Sequence, residues 1–348
     1  MKVAFLVTSL ANLGPTVATI RLIKSLNNDV EGELFYFKEK PEMSCPIKSR
    51  KISFFETINF DEFDIVHSTG LRPDIYLLKN HSKVKNKSIT SVHCYIKEDL
   101  GFLYSKLVTR IVVPLWYATL KRMKRVVVST EYMRNYYIEE LGISNISKIP
   151  YGIDPLKDIP ITEREIVFFD NLRSSYTVLG NVSLLIKRKG LEQLIPLLVK
   201  MKDLAVVIVG DGEERENLMK LVNENNLQDR FFILGFKENS YKYYKYFDAY
   251  IMPSRSEGFS LATLEAFYFN LPVVSTRLPY YEEFFNDDEI CFFELDNLNS
   301  LVEATRKAIE NKDKIISSAN KVFESNFTLD SLRIRHLELY KTIINEKC

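Results

Sequence analysis

The sequence predicts a two-domain α/β protein built on parallel, doubly wound sheets. Its 348 residues exceed the roughly 100–200 residues usual for one domain, so two cores are expected. Short apolar runs alternate with segments of helical periodicity through both halves, which is the rhythm of parallel strands joined by helices. Hydrophobic residues make up 46% and charged residues 27%, with 12 Gly and 12 Pro, so disordered, fibrous and low-complexity classes are excluded.

The elements follow in order. Residues 2–8 read as a buried strand, followed by the loop SLANLG and a helix over 16–26. There Val17, Ile20, Ile23 and Leu26 recur on one face, and Pro15 sits where a first turn tolerates it. Further strands are expected at 33–37, 65–68, 89–93 and 125–129. KIPYGIDP, punctuated by Pro and Gly, suits a linker. A second series begins near 160, with strands at 204–209, 231–236, 249–253 and 272–276. Helices are expected between them at 191–201, 213–225, 239–247 and 260–269, and a terminal amphipathic helix at 329–344. The expected division is 1–155, 156–325 and a C-terminal helix over 326–348 that packs back on the first domain. Two such halves facing each other would leave a cleft at the carboxyl ends of both sheets.

Charge is balanced overall, 47 basic against 46 acidic residues, so no global field favours nucleic acid. The balance hides an asymmetry. Residues 1–155 hold 22 basic against 16 acidic residues, and 156–348 hold 25 against 30. Between Lys83 and Arg125 ten basic residues meet only Glu98 and Asp99. Within this stretch, residues 106–125 open with Lys106, close with Arg125 and contain Trp116 and Tyr117. Aromatics beside cations suit a peripheral membrane contact, and a buried helix with a charged end is the competing reading. Pro114 argues against one continuous amphipathic helix.

Cys45, Cys94, Cys291 and Cys348 are widely spaced, so neither a disulfide framework nor a zinc site is implied. The opening MKVAFLVTSL reads as a strand rather than a signal peptide, and the apolar run over 111–120 falls short of the roughly 20 residues a membrane span needs. A cytoplasmic location, at the inner face of the cell membrane if peripheral, is the expectation. Asp287, Asp288 and Glu289 read as a solvated turn, not a metal site.

The passage MPSRSEGFSLATLEAFYFNLPVVST, residues 252–276, carries the chemistry. A strand ends near Pro253, a loop follows, and a helix starts near Ser260. Backbone amides at such a start can hold a phosphate without a metal, and Gly258 lets a ligand approach the backbone. Glu257 and Glu265 flank that anion site, as suits a ligand with a sugar at each end. The competing readings are a first-turn charge favoured by the helix dipole for Glu257 and an exposed helix residue for Glu265.

The order of PS, EGF, LEA and PVVST closely resembles the donor-site signature of retaining GT-B glycosyltransferases of family four. GDGEE (210–214), LGF (234–236), KRKGLEQLI (187–195), KIPYGID (148–154) and SLANLGPT agree with it. The resemblance implies a GT-B fold of two Rossmann-like domains. It implies transfer of a sugar from a nucleoside diphosphate sugar, a UDP-sugar by expectation, to a hydroxyl of a glycan or lipid-linked acceptor in cell-envelope or capsular polysaccharide synthesis. Neither metal nor cofactor is expected.

By resemblance Lys189 and Arg188 neutralise the diphosphate, Glu265 binds the ribose, and Glu257 binds the transferred sugar. The amides of Gly258, Phe259, Ser260 and Leu261 bind phosphate, Phe236 lies beside the base, Gly14 lies in the amino-terminal phosphate loop, and His93 lies near sugar and acceptor. Without the family, His93 would read as a structural strand-end residue. One departure stands out: the family's Gly-Arg before the Lys-Gly turn is here either Gly180-Asn181 or Ser183-Leu184. That leaves a second reading, a non-catalytic GT-B partner subunit. A nicotinamide oxidoreductase ranks last because the first loop carries only Gly14.

Overall fold

The computed structural model describes residues 1–38, 42–153 and 156–346. The chain divides into two units, residues 1–154 with 326–348, and residues 155–325.

The first unit runs β1 (Lys2–Val7), α1 (Gly14–Leu26), β2 (Glu31–Tyr36), β3 (Lys48–Lys51), β4 (Ile65–Thr69), α2 (Leu71–Lys79), α3 (His81–Val84), β5 (Ser88–Ser91), α4 (Ile96–Leu103), α5 (Lys106–Leu120), β6 (Arg125–Val128), α6 (Glu131–Leu141) and β7 (Ile146–Lys148). Its seven strands are all parallel in the order β3-β2-β1-β4-β5-β6-β7. Apolar clusters cover both faces, as parallel sheets require.

The second unit runs α7 (Glu163–Arg173), β8 (Thr177–Val182), α8 (Leu194–Lys200), β9 (Leu204–Val209), α9 (Arg215–Glu224), β10 (Phe231–Ile233), β11 (Ala249–Met252), α10 (Leu261–Tyr268), β12 (Val273–Thr276), β13 (Cys291–Phe293), α11 (Leu298–Glu310) and α12 (Lys312–Asn326). Its six strands are parallel in the order β10-β9-β8-β11-β12-β13. β9, LAVVIV, is buried at every position and forms the spine of the core. The last helix, α13 (Leu329–Asn345), returns to the first unit, where Leu332, Leu339, Tyr340 and Ile343 join the cluster that holds Ile20 and Ile23 of α1.

Several elements differ from expectation. β10 ends at Ile233, not Phe236, because Gly235 turns the chain at φ +76°. Residues 240–246 form a 3-10 run rather than an α-helix, and the helix expected at 191 starts with a 3-10 turn before α8. The edge strand β3, KSRK, is exposed throughout, so no apolar pattern announces it. Helix α5 continues through Pro114 and buries only Val113, Thr119 and Leu120.

Each strand order reverses once, between β1 and β4 in the first unit and between β8 and β11 in the second. At such a switch point the chains leaving the two strands diverge, opening a crevice at the strands' carboxyl ends. In the second unit the diverging segments are the loop carrying Lys187–Lys189 and the loop carrying residues 253–260.

Candidate active site

The two loops at the second switch point are clamped together. After β8 the chain makes a 3-10 turn, Lys187–Lys189, closed by Gly190 at φ +60°. A Cβ on Gly190 would sit 2.2 Å from the Pro253 carbonyl oxygen, so only glycine allows this approach. The Arg255 amide donates to Arg188 O at 2.8 Å, and Gln193 Nε2 donates to Pro253 O at 2.9 Å. Arg255 then grips Glu192 and Asp296 at 2.6 and 2.7 Å.

This clamp brings three predicted site residues into contact. Arg188 Nη1 donates to Glu257 Oε2 at 3.1 Å and to Ser256 O at 2.7 Å. Lys189 Nζ donates to Glu257 Oε1, as does Ser254 Oγ at 2.9 Å. Burial pushes the Glu257 carboxyl up. The Lys189 and Arg188 charges and the hydrogen bonds from Lys189 and Ser254 outweigh it, holding the group at about 2. The result is a buried carboxylate and two cations at the carboxyl edge of a parallel sheet.

Beside this cluster α10 begins. Ser260 is its N-cap and accepts the Thr263 amide at 3.2 Å. Phe259 is buried with its ring against Tyr280 and Tyr281, and the Tyr281 hydroxyl lies 2.7 Å from Thr263 Oγ1. The side chain of Phe259 therefore anchors the helix start; of this residue only the backbone can serve a ligand. Gly258 is buried and Leu261 is the first helical residue, so the amides of 258–261 lie at the positive end of the helix. Glu265 lies on the fifth residue of the helix, 3.2 Å from the Tyr244 hydroxyl.

Phe236 follows β10 at the same sheet edge with 60% of its surface exposed, a free aromatic face. The GDG loop after β9 packs on the loop after β8: a Cβ on Gly210 would lie 1.8 Å from Ser183 O. Gly180-Asn181 lies on β8, whereas Ser183-Leu184 lies in the loop. Asn181 is buried and bridges strands, donating to Ile251 O at 2.7 Å and accepting from Ser183 Oγ at 2.6 Å. The position thus carries a structural amide. Lys187 is exposed, so Arg188 is the second cation of the cluster.

Gly14 and His93 belong to the first unit. Gly14 opens α1 ahead of Pro15, and a Cβ there would meet open space. His93 follows β5, with Nδ1 2.5 Å from the Tyr151 hydroxyl and the two rings stacked at 5.5 Å. Its Nε2 is covered and has no hydrogen-bond partner among the described residues. Burial and nearby His336 lower its pKa to about 4, so the ring is neutral at pH 7. Asp154 of the KIPYGID stretch lies outside the described residues.

Ser254, Gln193 and Tyr244 were missed as supports of the site. Ser254 was visible in the quoted PS pair, whereas nothing in SYKYYKY singles out one tyrosine. Asp287 pairs with Arg277 at 2.8 Å and Asp288 with Lys314 at 3.7 Å. Among the described residues no group of three His, Cys, Asp or Glu side chains is arranged to hold a metal.

Two Rossmann-like units, each a parallel sheet that reverses its strand order once, give the chain the GT-B architecture, and the matches to known families make its class that of a glycosyltransferase. Residues 163–323 match the model of Glycosyl transferases group 1, and residues 34–156 that of Glycosyltransferase Family 4. The chain is 28% identical to the O-antigen biosynthesis glycosyltransferase WclY of Escherichia coli, over 99% of each chain. Among solved structures it resembles Anabaena Alr3699/HepE in complex with UDP and glucose, with a TM-score of 0.79 and 16% identity over 98% of this chain and 100% of that one. Sucrose-phosphate synthase from Thermosynechococcus elongatus gives 0.82 and 16% identity over 99% and 100%.

Proposed function

We propose that this glycosyltransferase moves a sugar, with retention of anomeric configuration, from a UDP-sugar to a hydroxyl of a glycan or lipid-linked acceptor in cell-envelope polysaccharide synthesis. The observation that carries the reading is the Arg188–Lys189–Glu257 cluster beside the α10 start. Two cations and oriented amides meet the charge that grows on a departing nucleoside diphosphate. Glu257 and Glu265 take hydroxyl groups of the sugar and the ribose, Phe236 the base, and Gly14 and His93 act from the first unit. Transfer proceeds at the front face, with the donor phosphate taking the acceptor proton, and uses neither metal nor cofactor. The WclY likeness supports the polysaccharide context, and the HepE complex supports uridine.

The test is a panel of UDP-, GDP- and TDP-sugars by calorimetry, then turnover in the presence of a chelator with the anomeric product read by NMR. UDP binding weakened at least about tenfold in Lys189→Ala and Glu265→Ala is expected, since charge-assisted hydrogen bonds contribute about 1.5–3 kcal/mol. Unchanged affinity in both would refute the site. The buried, bridging Asn181 favours one competitor, a GT-B partner subunit without turnover. Nucleotide binding without transfer to any acceptor would select that competitor.

A further inference from the structure

The segment that follows β7 is fixed at both ends within the first unit. The Ile149 amide donates to Val128 O at 2.8 Å, and the Ile153 amide donates to Phe327 O at 2.9 Å. There Ile153 forms an isolated parallel bridge with Thr328, just before α13. A Cβ on Gly152 would lie 2.7 Å from Thr328 O, so the backbone passes the helix start too closely for a larger residue. Tyr151 sits between these ties and is buried. Its ring therefore has little freedom. It stacks on the His93 ring with its hydroxyl 2.5 Å from Nδ1.

That bond has a direction. A phenol is a strong neutral donor, and an imidazole nitrogen accepts better than a phenol oxygen, so the Tyr151 O–H points at Nδ1. Burial keeps the His93 ring neutral at pH 7. A neutral ring carries one proton, and with Nδ1 accepting it stands on Nε2. This is the ring atom that is covered without a partner among the described residues. A buried donor is costly to leave unpaired, while the ring as a whole is partly exposed and open to a ligand on one side. His336 is arranged the other way round. Its Nδ1 lies 3.0 Å from the Leu332 carbonyl, which only accepts, so there the proton stands on Nδ1. His67 is satisfied on both nitrogens by the Tyr340 and Ser91 hydroxyls. Of these three histidines, His93 is the one whose ring N–H meets no acceptor among the described residues.

We propose that Tyr151 is a positioning residue that locks His93 in the Nε2–H tautomer, so that His93 meets a ligand oxygen as a hydrogen-bond donor and does not act as a base. That the oxygen belongs to the transferred sugar or the acceptor rests on the donor reading above; the tautomer does not.

NMR of the full-length protein labelled with 15N at its four histidines tests the lock, because long-range proton–nitrogen correlations give each neutral tautomer its own pattern. At pH 7 the His93 signal, identified by its loss in His93→Gln, should show a protonated Nε2 and a bare Nδ1. The His336 signal, identified in His336→Phe, should show the reverse. Tyr151→Phe keeps the stacked ring and removes the hydroxyl. The Nδ1–H form of His93 should then become populated, and circular dichroism melts verify folding. Calorimetry should find UDP affinity within about twofold of wild type. Transfer, with the donor chosen from the sugar-nucleotide panel, should fall about three- to tenfold, as the loss of one orienting hydrogen bond implies. If donor hydrolysis without acceptor falls alongside transfer, the oxygen is on the donor sugar; if only the acceptor KM rises, it is on the acceptor. A wild-type spectrum with Nδ1 protonated overturns the proposal, as does a Tyr151→Phe enzyme with wild-type kinetics or with UDP binding lost to the same degree as transfer. The expected spectra in a protein that binds no nucleotide would instead refute the donor reading and leave the lock standing.

Discussion

Glu257 shows how three side chains settle one another's chemistry. Alone, a carboxyl so buried would be neutral, and two adjacent cations would repel. Together they form a charged cluster whose carboxylate is held at about 2. Glu257→Gln removes the negative partner of both cations, while Arg188 keeps its bond to Ser256 O. Calorimetry should then show UDP bound at least as tightly as by wild type, while turnover falls at least about a hundredfold, in the range of losses from removing a charge-stabilising group. Loss of binding instead would mean that Glu257 serves the site only by holding the cations in place. Gly190 is equally exposed to test. Alanine there must adopt φ +60° and press on the Pro253 carbonyl, and backbone strain of this kind costs about 1–3 kcal/mol. Urea unfolding of Gly190→Ala should show that loss, with UDP affinity falling in parallel because the turn carries Lys189.

At the scale of elements, α5 is fastened to α2 by a buried polar tie. Trp116 Nε1 donates to Asp74 Oδ2 at 2.8 Å, while Ser68 and Thr90 donate to Oδ1 at 2.6 and 2.7 Å. Asp74 is fully buried, and among the described residues no cation pairs with it. Burial lifts its pKa to about 6, and the three hydrogen bonds oppose the rise. Trp116→Phe keeps most of the apolar volume and strands one carboxylate oxygen, a loss of about 1–3 kcal/mol. A lowered melting temperature by circular dichroism is expected.

On the scale of the whole molecule, pH acts through the first unit. His67, His93 and His336 are covered there. His67 lies between Tyr340 and Ser91 and stacks on His336 at 5.9 Å. Burial lowers all three, His93 and His336 to about 4, against an ordinary value of 6.5. Between pH 6.5 and 4 the unfolded chain takes up protons that the folded one refuses, so stability falls as pH falls. Asp74 has the opposite sign. Its raised pKa makes the folded state bind a proton first, adding stability as pH drops from 6 to 3.8. Three groups oppose one, so a net acid loss is expected. Thermal melts from pH 7.5 to 4.5 should show it, and His336→Phe should flatten it. A rise in melting temperature on acidification would contradict this account.

Much of this protein was readable before any coordinates. Periodicity placed β1, β9 and β11 within a residue or two because buried parallel strands are uninterrupted apolar runs. The order of EGF, LEA and the Lys-Gly turn singled out the two loops that meet at the second switch point, where Arg188 and Lys189 reach Glu257. Legibility failed where the determinant was not local. β3 has no apolar residue, the 3-10 run at 240–246 has helical composition, and Tyr244 is one tyrosine among four. The composition of α5 left two readings open. The fold shows that Glu346 neutralises Lys124 and Arg125, a pairing set by a segment more than two hundred residues away. The residue types and their order along the chain thus specified what chemistry was available. Long-range packing, which no window of sequence contains, paired Glu257 with Arg188 and Lys189 and set Asn181 to bridging strands.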